Sequence, residues 1–177
     1  MSEQRTELAR LESEYGRFAA DRERFEVPPM EFKRLAARAE RGALGGARAV
    51  PRRGDAVLLV RTIDDKGGWS VPGGEREPDE RYEETAARSV TEETGLAVSV
   101  DSLLSVKRFE FVNAFEPDED VVGHWVWFGA TDDGGSPAPQ HPGVLSAGWF
   151  TELPDDVDPA AADRIEEWRT TSPSAAD

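Results

Sequence analysis

"VPGGEREPDERYEETAARSVTEETGL", residues 71–96, sets two glycines ahead of a run of carboxylates and closes on a third glycine. The spacing predicts a helix from Asp79 to about Thr94, stopped by Gly95. Asp79 suits the N-cap, and Glu80, Glu83 and Glu84 suit the positive end of the helix dipole. Tyr82, Ala86 and Val90 recur four apart and form the stripe expected to be buried. At about 100° per residue, Ser89, Glu92 and Glu93 fall in one arc beside that stripe. Two adjacent carboxylates at such a border repel each other and ionise best with a cation between them. Hard oxygen donors without thiols select Mg²⁺ or Mn²⁺. Arg88 stands four residues from both Glu84 and Glu92 and is expected to brace them. Gly73 and Gly74 allow a sharp turn that brings main chain close to the helix.

Outward from this helix the pattern alternates between strand and helix. Residues 2 to about 24 read as a helix, with Leu8, Leu11, Tyr15 and Phe18 at spacings of three and four. "VPP" at 27–29 breaks it, and a second helix follows over about 30–41, ended by "GALGG". The apolar stripe of this N-terminal piece either packs on the core of the main domain or forms a homodimer contact. "ARAVPR" and "AVLLVRT" read as strands joined at "RRGD", and "WSV" as a short strand. "LAVSV", "LLSVKRFEFVN", "VVGHWVWFGATD" and "LSAGWFTEL" read as further strands, and "PAAADRIEEWR" as a last helix. Val122, Val126 and Phe128 lie on one face of their strand, with Trp125 and Trp127 on the other. Such a strand is normally covered on both sides. The expected architecture is α/β, an α/β/α sandwich on a mixed sheet. The division is a helical extension over 1–44, a main domain over 45–170 and a frayed tail over 171–177.

Composition narrows the function classes. The chain has 177 residues, 38% hydrophobic and 32% charged, which suits a soluble globular domain with a charged surface. Its formal net charge of −15 repels nucleic-acid backbones and anionic membranes, so neither is the expected partner. Lys33, Lys66 and Lys107 are the lysines, and the other basic residues are arginines. That acid-rich, lysine-poor balance resembles proteins of salt-rich cytoplasm, or an ordinary acidic protein from a GC-rich genome. With no cysteine, disulfides, thiolate catalysis and Cys-based zinc sites are excluded. His124 and His141 are too few for a multi-histidine metal site. The charged start "MSEQRTELAR" and the lack of a long apolar run point to a cytoplasmic protein.

The stretch over 74–96 resembles the Nudix box of the Nudix hydrolases. That box reads glycine, five residues, glutamate, seven residues, arginine-glutamate, an aliphatic, any residue, a glutamate pair, any residue, glycine and an aliphatic. Gly74, Glu80, Arg88, Val90, Glu92, Glu93, Gly95 and Leu96 match it at every spacing. The resemblance implies the Nudix α/β/α sandwich and Mg²⁺-dependent hydrolysis of the diphosphate of a nucleoside diphosphate derivative, such as a nucleotide sugar or an oxidised nucleotide. It implies that Glu92 and Glu93 ligate the metal with the Gly73 carbonyl, while Arg88 orients the carboxylates and Glu80 supports the helix start or the outer metal shell. Ser89 departs from the pattern, because the family carries glutamate there, as a metal ligand or base in many members. The loop "PAPQHPGVLSAGWF" also lacks the acid that many members place there. His141 is either a base or substrate contact or a plain loop residue, and His124 reads as structural. Glu116, Asp118, Glu119 and Asp120 are a reserve of acids in a loop. Phe109, Phe111, Phe115 and Trp125 are candidates for base stacking, Phe111 and Trp125 foremost. The alternative reading is a Nudix-fold module that binds a nucleotide but turns over poorly.

Overall fold

Alternating apolar runs and one strongly amphipathic acidic segment build a mixed sheet with helices on both faces. The protein is described here by a computed structural model, over residues 3–63 and 68–171. In chain order the elements are α1 (Glu3–Tyr15), β1 (Ala20–Val27), α2 (Pro29–Glu40), β2 (Gly46–Arg53), β3 (Ala56–Thr62), β4 (Trp69–Ser70), β5 (Gly73–Glu75), α3 (Tyr82–Thr94), β6 (Val98–Asn113), β7 (Asp120–Asp132), β8 (Val144–Phe150) and α4 (Pro159–Thr171). The sheet runs β1-β6-β7-β2-β3-β4, with β5 beside β2 and β8 beside β3. β1 lies parallel to β6 and β2 parallel to β7, while the other pairings are antiparallel. Among the described residues, no helix is long and apolar enough to cross a membrane.

The side-chain alternation of β2 feeds two cores. Ala47 and Ala49 join Leu11 of α1, Tyr82, Ala86 and Val90 of α3, and Val126 and Phe128 of β7. Val50 joins Val57, Leu59 and Val71 against Ala161, Ile165 and Trp168 of α4 on the other face. This is the α/β/α sandwich expected from the order of elements, and β7 is covered on both sides as its bulky residues require.

Three expectations are corrected. The first helix ends at Tyr15 rather than near residue 24. Gly16 adopts φ +88° and its N–H donates to the Glu12 carbonyl at 2.9 Å, closing the helix with a left-handed residue. Residues 20–27 then form β1, because β6 offers a parallel partner from Ala20↔Val106 to Val27↔Asn113. The apolar stripe of α1 lies on the first core, with Leu11 fully buried and Leu8, Tyr15 and Phe18 against it. Second, "LAVSV" and "LLSVKRFEFVN" form one strand, β6, whose register slips between Val100 and Ser102 and again between Leu103 and Ser105. Irregularities of this kind bend a strand without ending it. Third, α3 begins after Arg81, not Asp79. Asp79 sits at φ +60°, outside the conformation of a cap, and Glu84 reaches back to the Arg81 N–H at 3.3 Å. The start of the first helix at Ser2 and the tail beyond Thr171 lie outside the described residues.

Candidate functional site

The C-terminal half of α3 faces a cavity of about 270 Å³. Arg48, Val71, Gly73, Glu93, His141 and Val144 are among its lining. Each polar member is brought there by a separate local device. Glu93 is held by Gly73, whose N–H donates to Glu93 Oε2 at 3.0 Å. The resemblance to the Nudix box placed these two residues together but implied the Gly73 carbonyl as the group in use. The turn is tight enough to need glycine, since a Cβ at position 73 would lie 2.4 Å from Arg48 Cγ and 2.8 Å from the Ala47 carbonyl.

His141 arrives through the end of α3. The last carbonyls of a helix have no partner within it. Here Ala138 donates to the Thr94 carbonyl at 3.0 Å and Gln140 to the Glu93 carbonyl at 3.0 Å. The loop is thereby docked on the helix C-terminus, with Gly95 at φ +79° turning the chain away. The Gly143 N–H then donates to His141 Nδ1 at 3.0 Å. A neutral imidazole whose Nδ1 accepts carries its proton on Nε2, so the other ring nitrogen is a donor.

Arg48 is a member of the site that the sequence reading missed. It extends from β2 between two tryptophans, with Cζ 5.8 Å from the centre of the Trp125 ring and 5.5 Å from that of Trp127. Its Nη1 donates to the Val71 carbonyl at 3.1 Å. A guanidinium held on aromatic faces is pre-positioned and weakly hydrated, which suits it to a phosphate oxygen. The available signal was an arginine between the apolar Ala47 and Ala49 of β2, while its place beside the two tryptophans follows from the pairing of β2 with β7. Trp125 thus holds a cavity residue and is not itself among the lining residues.

Arg88 organises the acids outside the cavity. It meets Glu80 twice, through Nε at 2.7 Å and Nη2 at 2.9 Å, and Glu92 through Nη1 at 3.0 Å. Nη2 also donates to the Glu75 carbonyl at 3.0 Å. The expected brace to Glu92 is present, but Glu80 takes the place foreseen for Glu84. The reason is that the loop before α3 folds back over the helix. Burial alone would raise the Glu80 carboxyl, but hydrogen bonds from Arg88, Thr85 and the Glu77 amide outweigh it and lower it to about 2. The same pairing makes Arg88 hold its proton more tightly than usual. Ser89 is buried, and its hydroxyl donates to the Thr85 carbonyl at 2.8 Å.

The expected metal ligands are brought together only in part. Glu93 and Gly73 meet at the cavity, whereas the Glu92 carboxylate is 55% exposed, bound to Arg88 and not among the lining residues. Among the described residues, no three His, Asp or Glu converge as a ready cage. This donor set fits a hard divalent ion completed by substrate phosphates, since Mg²⁺ is commonly held by one or two carboxylates plus phosphate. Phe111 stacks with Phe25 at 5.8 Å and with Phe109 at 6.3 Å, apart from the lining residues. Phe115 and the acids Glu116 and Glu119 border a different cavity, of about 500 Å³, against Phe32 and Lys33 of α2. His124 is buried in β7, as its apolar neighbours suggested.

A family model described as the NUDIX domain matches residues 44–171. The chain belongs to the Nudix family. Its Nudix domain is 48% identical over 54 residues to a "MutT-like protein" of Streptomyces ambofaciens, covering 30% of this chain and 35% of that one. It is 39% identical over 70 residues to an "ADP-ribose pyrophosphatase" of Methanocaldococcus jannaschii, covering 38% and 37%. The match thus spans little more than a third of these curated relatives. Among solved structures, a Nudix hydrolase of Nitrosomonas europaea superposes with TM-score 0.58 at 21% identity, over 75% of this chain and 76% of that one. A MutT Nudix hydrolase of Burkholderia pseudomallei gives 0.52 at 26% identity, over 70% and 95%. The matched segment leaves α1, β1 and α2 outside the family model, although β1 is hydrogen-bonded into the same sheet.

Proposed function

We propose that the protein is a Nudix pyrophosphohydrolase of the cytoplasm that cleaves the diphosphate of a nucleoside diphosphate derivative with Mg²⁺ or Mn²⁺. The observation that carries this reading is the meeting of Glu93 with Gly73 at a cavity that also holds Arg48 and His141. One carboxylate among two nitrogen donors suits a polyanion that brings its own cation. Glu93, with Glu92 beside it, would hold the metal ion, which neutralises the diphosphate and lowers the pKa of a bound water. Arg48 and the Nε2 proton of His141 bind phosphate oxygens of the substrate beside Glu93. Arg88 keeps Glu80 ionised and restrains Glu92.

Ser89 favours a second reading, a nucleotide-binding module with slow turnover. Its hydroxyl is engaged with the Thr85 carbonyl, and no charge replaces the family's glutamate. The two readings separate in one experiment. Nucleoside diphosphate sugars, ADP-ribose and oxidised nucleoside triphosphates are screened with Mg²⁺ or Mn²⁺ at high salt, together with Glu93→Gln and His141→Phe. The enzyme reading predicts hydrolysis that is lost or sharply reduced in Glu93→Gln, which removes the carboxylate that would hold the metal. It also predicts a higher KM with little change in kcat for His141→Phe. Tight nucleotide binding without turnover, and a gain of activity in Ser89→Glu, would establish the module instead.

A further inference from the structure

We infer that β1 is a self-pairing edge that joins two copies of this chain into one continuous sheet, in the register that sets Phe25 opposite Phe25 of the second copy. β1 is the terminal strand of the sheet and its residues are exposed or half-buried along its whole length. Its outer backbone groups are consequently available to another strand. Their direction follows from the inner pairing. The Val27 carbonyl accepts from Ala114 at 3.0 Å, on the β6 side, so Val27, Phe25 and Glu23 direct their backbone groups inward. Arg24 and Glu26 direct theirs outward.

Two copies related by a two-fold axis pair their edges antiparallel. Facing residues must point to the same side of the sheet, so the axis passes through a residue that faces itself. Centring on Arg22 or Arg24 sets arginines against each other, and centring on Asp21, Glu23 or Glu26 does the same for acids. Like charges directly opposite are destabilising. Among the registers centred on Asp21 to Glu26, only Phe25 avoids them, and it sets Arg24 against Glu26 of the second copy twice. It also agrees with the backbone directions. Arg24 and Glu26 become the hydrogen-bonded pairs, while Phe25 meets its counterpart in the close, non-hydrogen-bonded position.

The aromatic side chains support the same register. Phe25 is 40% exposed and is the outermost ring of a ladder, with centroids 5.8 Å from Phe111 and 6.0 Å from Phe109. Facing itself, Phe25 continues that ladder across the seam into the second copy and covers the ring that the monomer leaves open. Charged edge residues ordinarily discourage strand addition. Here the order Arg-Phe-Glu selects one partner strand, a copy of itself.

Sedimentation equilibrium of the full chain tests this, with the fold of each variant checked by circular dichroism. Wild type is expected to be dimeric. Arg24→Glu and Glu26→Arg each set like charges opposite, twice per dimer, and are expected to raise the dissociation constant about tenfold or more. Mixing these two single variants restores opposite charges at both positions and is expected to recover a heterodimer. A monomeric wild type overturns the inference. So does a dimer that tolerates both single variants, or a mixture that stays monomeric.

Discussion

Removing the Arg88 guanidinium would leave Glu80 and Glu92 without the cation that lies between them. The effect is legible in pH. Glu80 titrates near 2 in the folded protein, below its ordinary value of 4.5. A depressed carboxyl adds stability that is complete above its unfolded pKa and is lost as pH falls from about 4.5 towards 2. Allowing for the partly exposed partner, the contribution is about 2 kcal/mol. Arg88→Ala is therefore expected to lower urea stability by that order at pH 7, with the gap to wild type shrinking at pH values of about 3. An unchanged gap at low pH would mean that Arg88 acts through packing rather than charge.

At the scale of elements, α3 is more than a carrier of acids. Its C-terminal carbonyls dock residues 138–140 and so deliver His141 to the cavity. Gly95 is the joint in this arrangement. A Cβ there would be strained at φ +79° and would lie 3.3 Å from Gln140 Cγ. Gly95→Ala is expected to cost about 1–2 kcal/mol and to displace the loop. Faster hydrogen exchange at the Gln140 amide, alongside a lower melting temperature, would register both effects. Retention of wild-type exchange would separate the loop from the helix end. α1 shows a similar dependence on its ends. The spacing of Leu8, Leu11 and Tyr15 identifies a helix correctly, but the same periodicity runs on to Phe18 and does not reveal the stop. Gly16 supplies it, and the charged segment beyond becomes a strand only because β6 is beside it.

For the whole molecule, the sandwich buries a titratable side chain at its centre. His124 is 1% exposed, and burial, with the nearby positive charges of Arg108 and Arg76, pushes its imidazole down to about 4. The unfolded chain protonates this histidine near pH 6.5 and the folded one only near 4. Stability is therefore full above about 6.5 and falls as pH drops through that interval, by about 3 kcal/mol for the shift itself. The window lies above that of Glu80, so the two losses are separable. Urea midpoints of wild type are expected to decline between about pH 7 and 5, and His124→Gln is expected to flatten that slope. A slope that persists in the variant would assign the acid sensitivity elsewhere.

The spacing within residues 71–96 was enough to determine the buried stripe of α3 and the border position of its acids, whereas the contact of Gly73 with Glu93 was expected only from the resemblance to the Nudix box. The stripe and the border position lie within one helix, so helix geometry alone computes them. The alternation along β7 likewise determined a sheet covered on both faces. Tertiary structure decided the rest. It chose Glu80 over Glu84 as the partner of Arg88, made residues 20–27 a strand and set Arg48 between Trp125 and Trp127. Each of these contacts depends on the register between segments separated in the chain, or on a loop folding back, and no periodicity along one segment encodes that alignment.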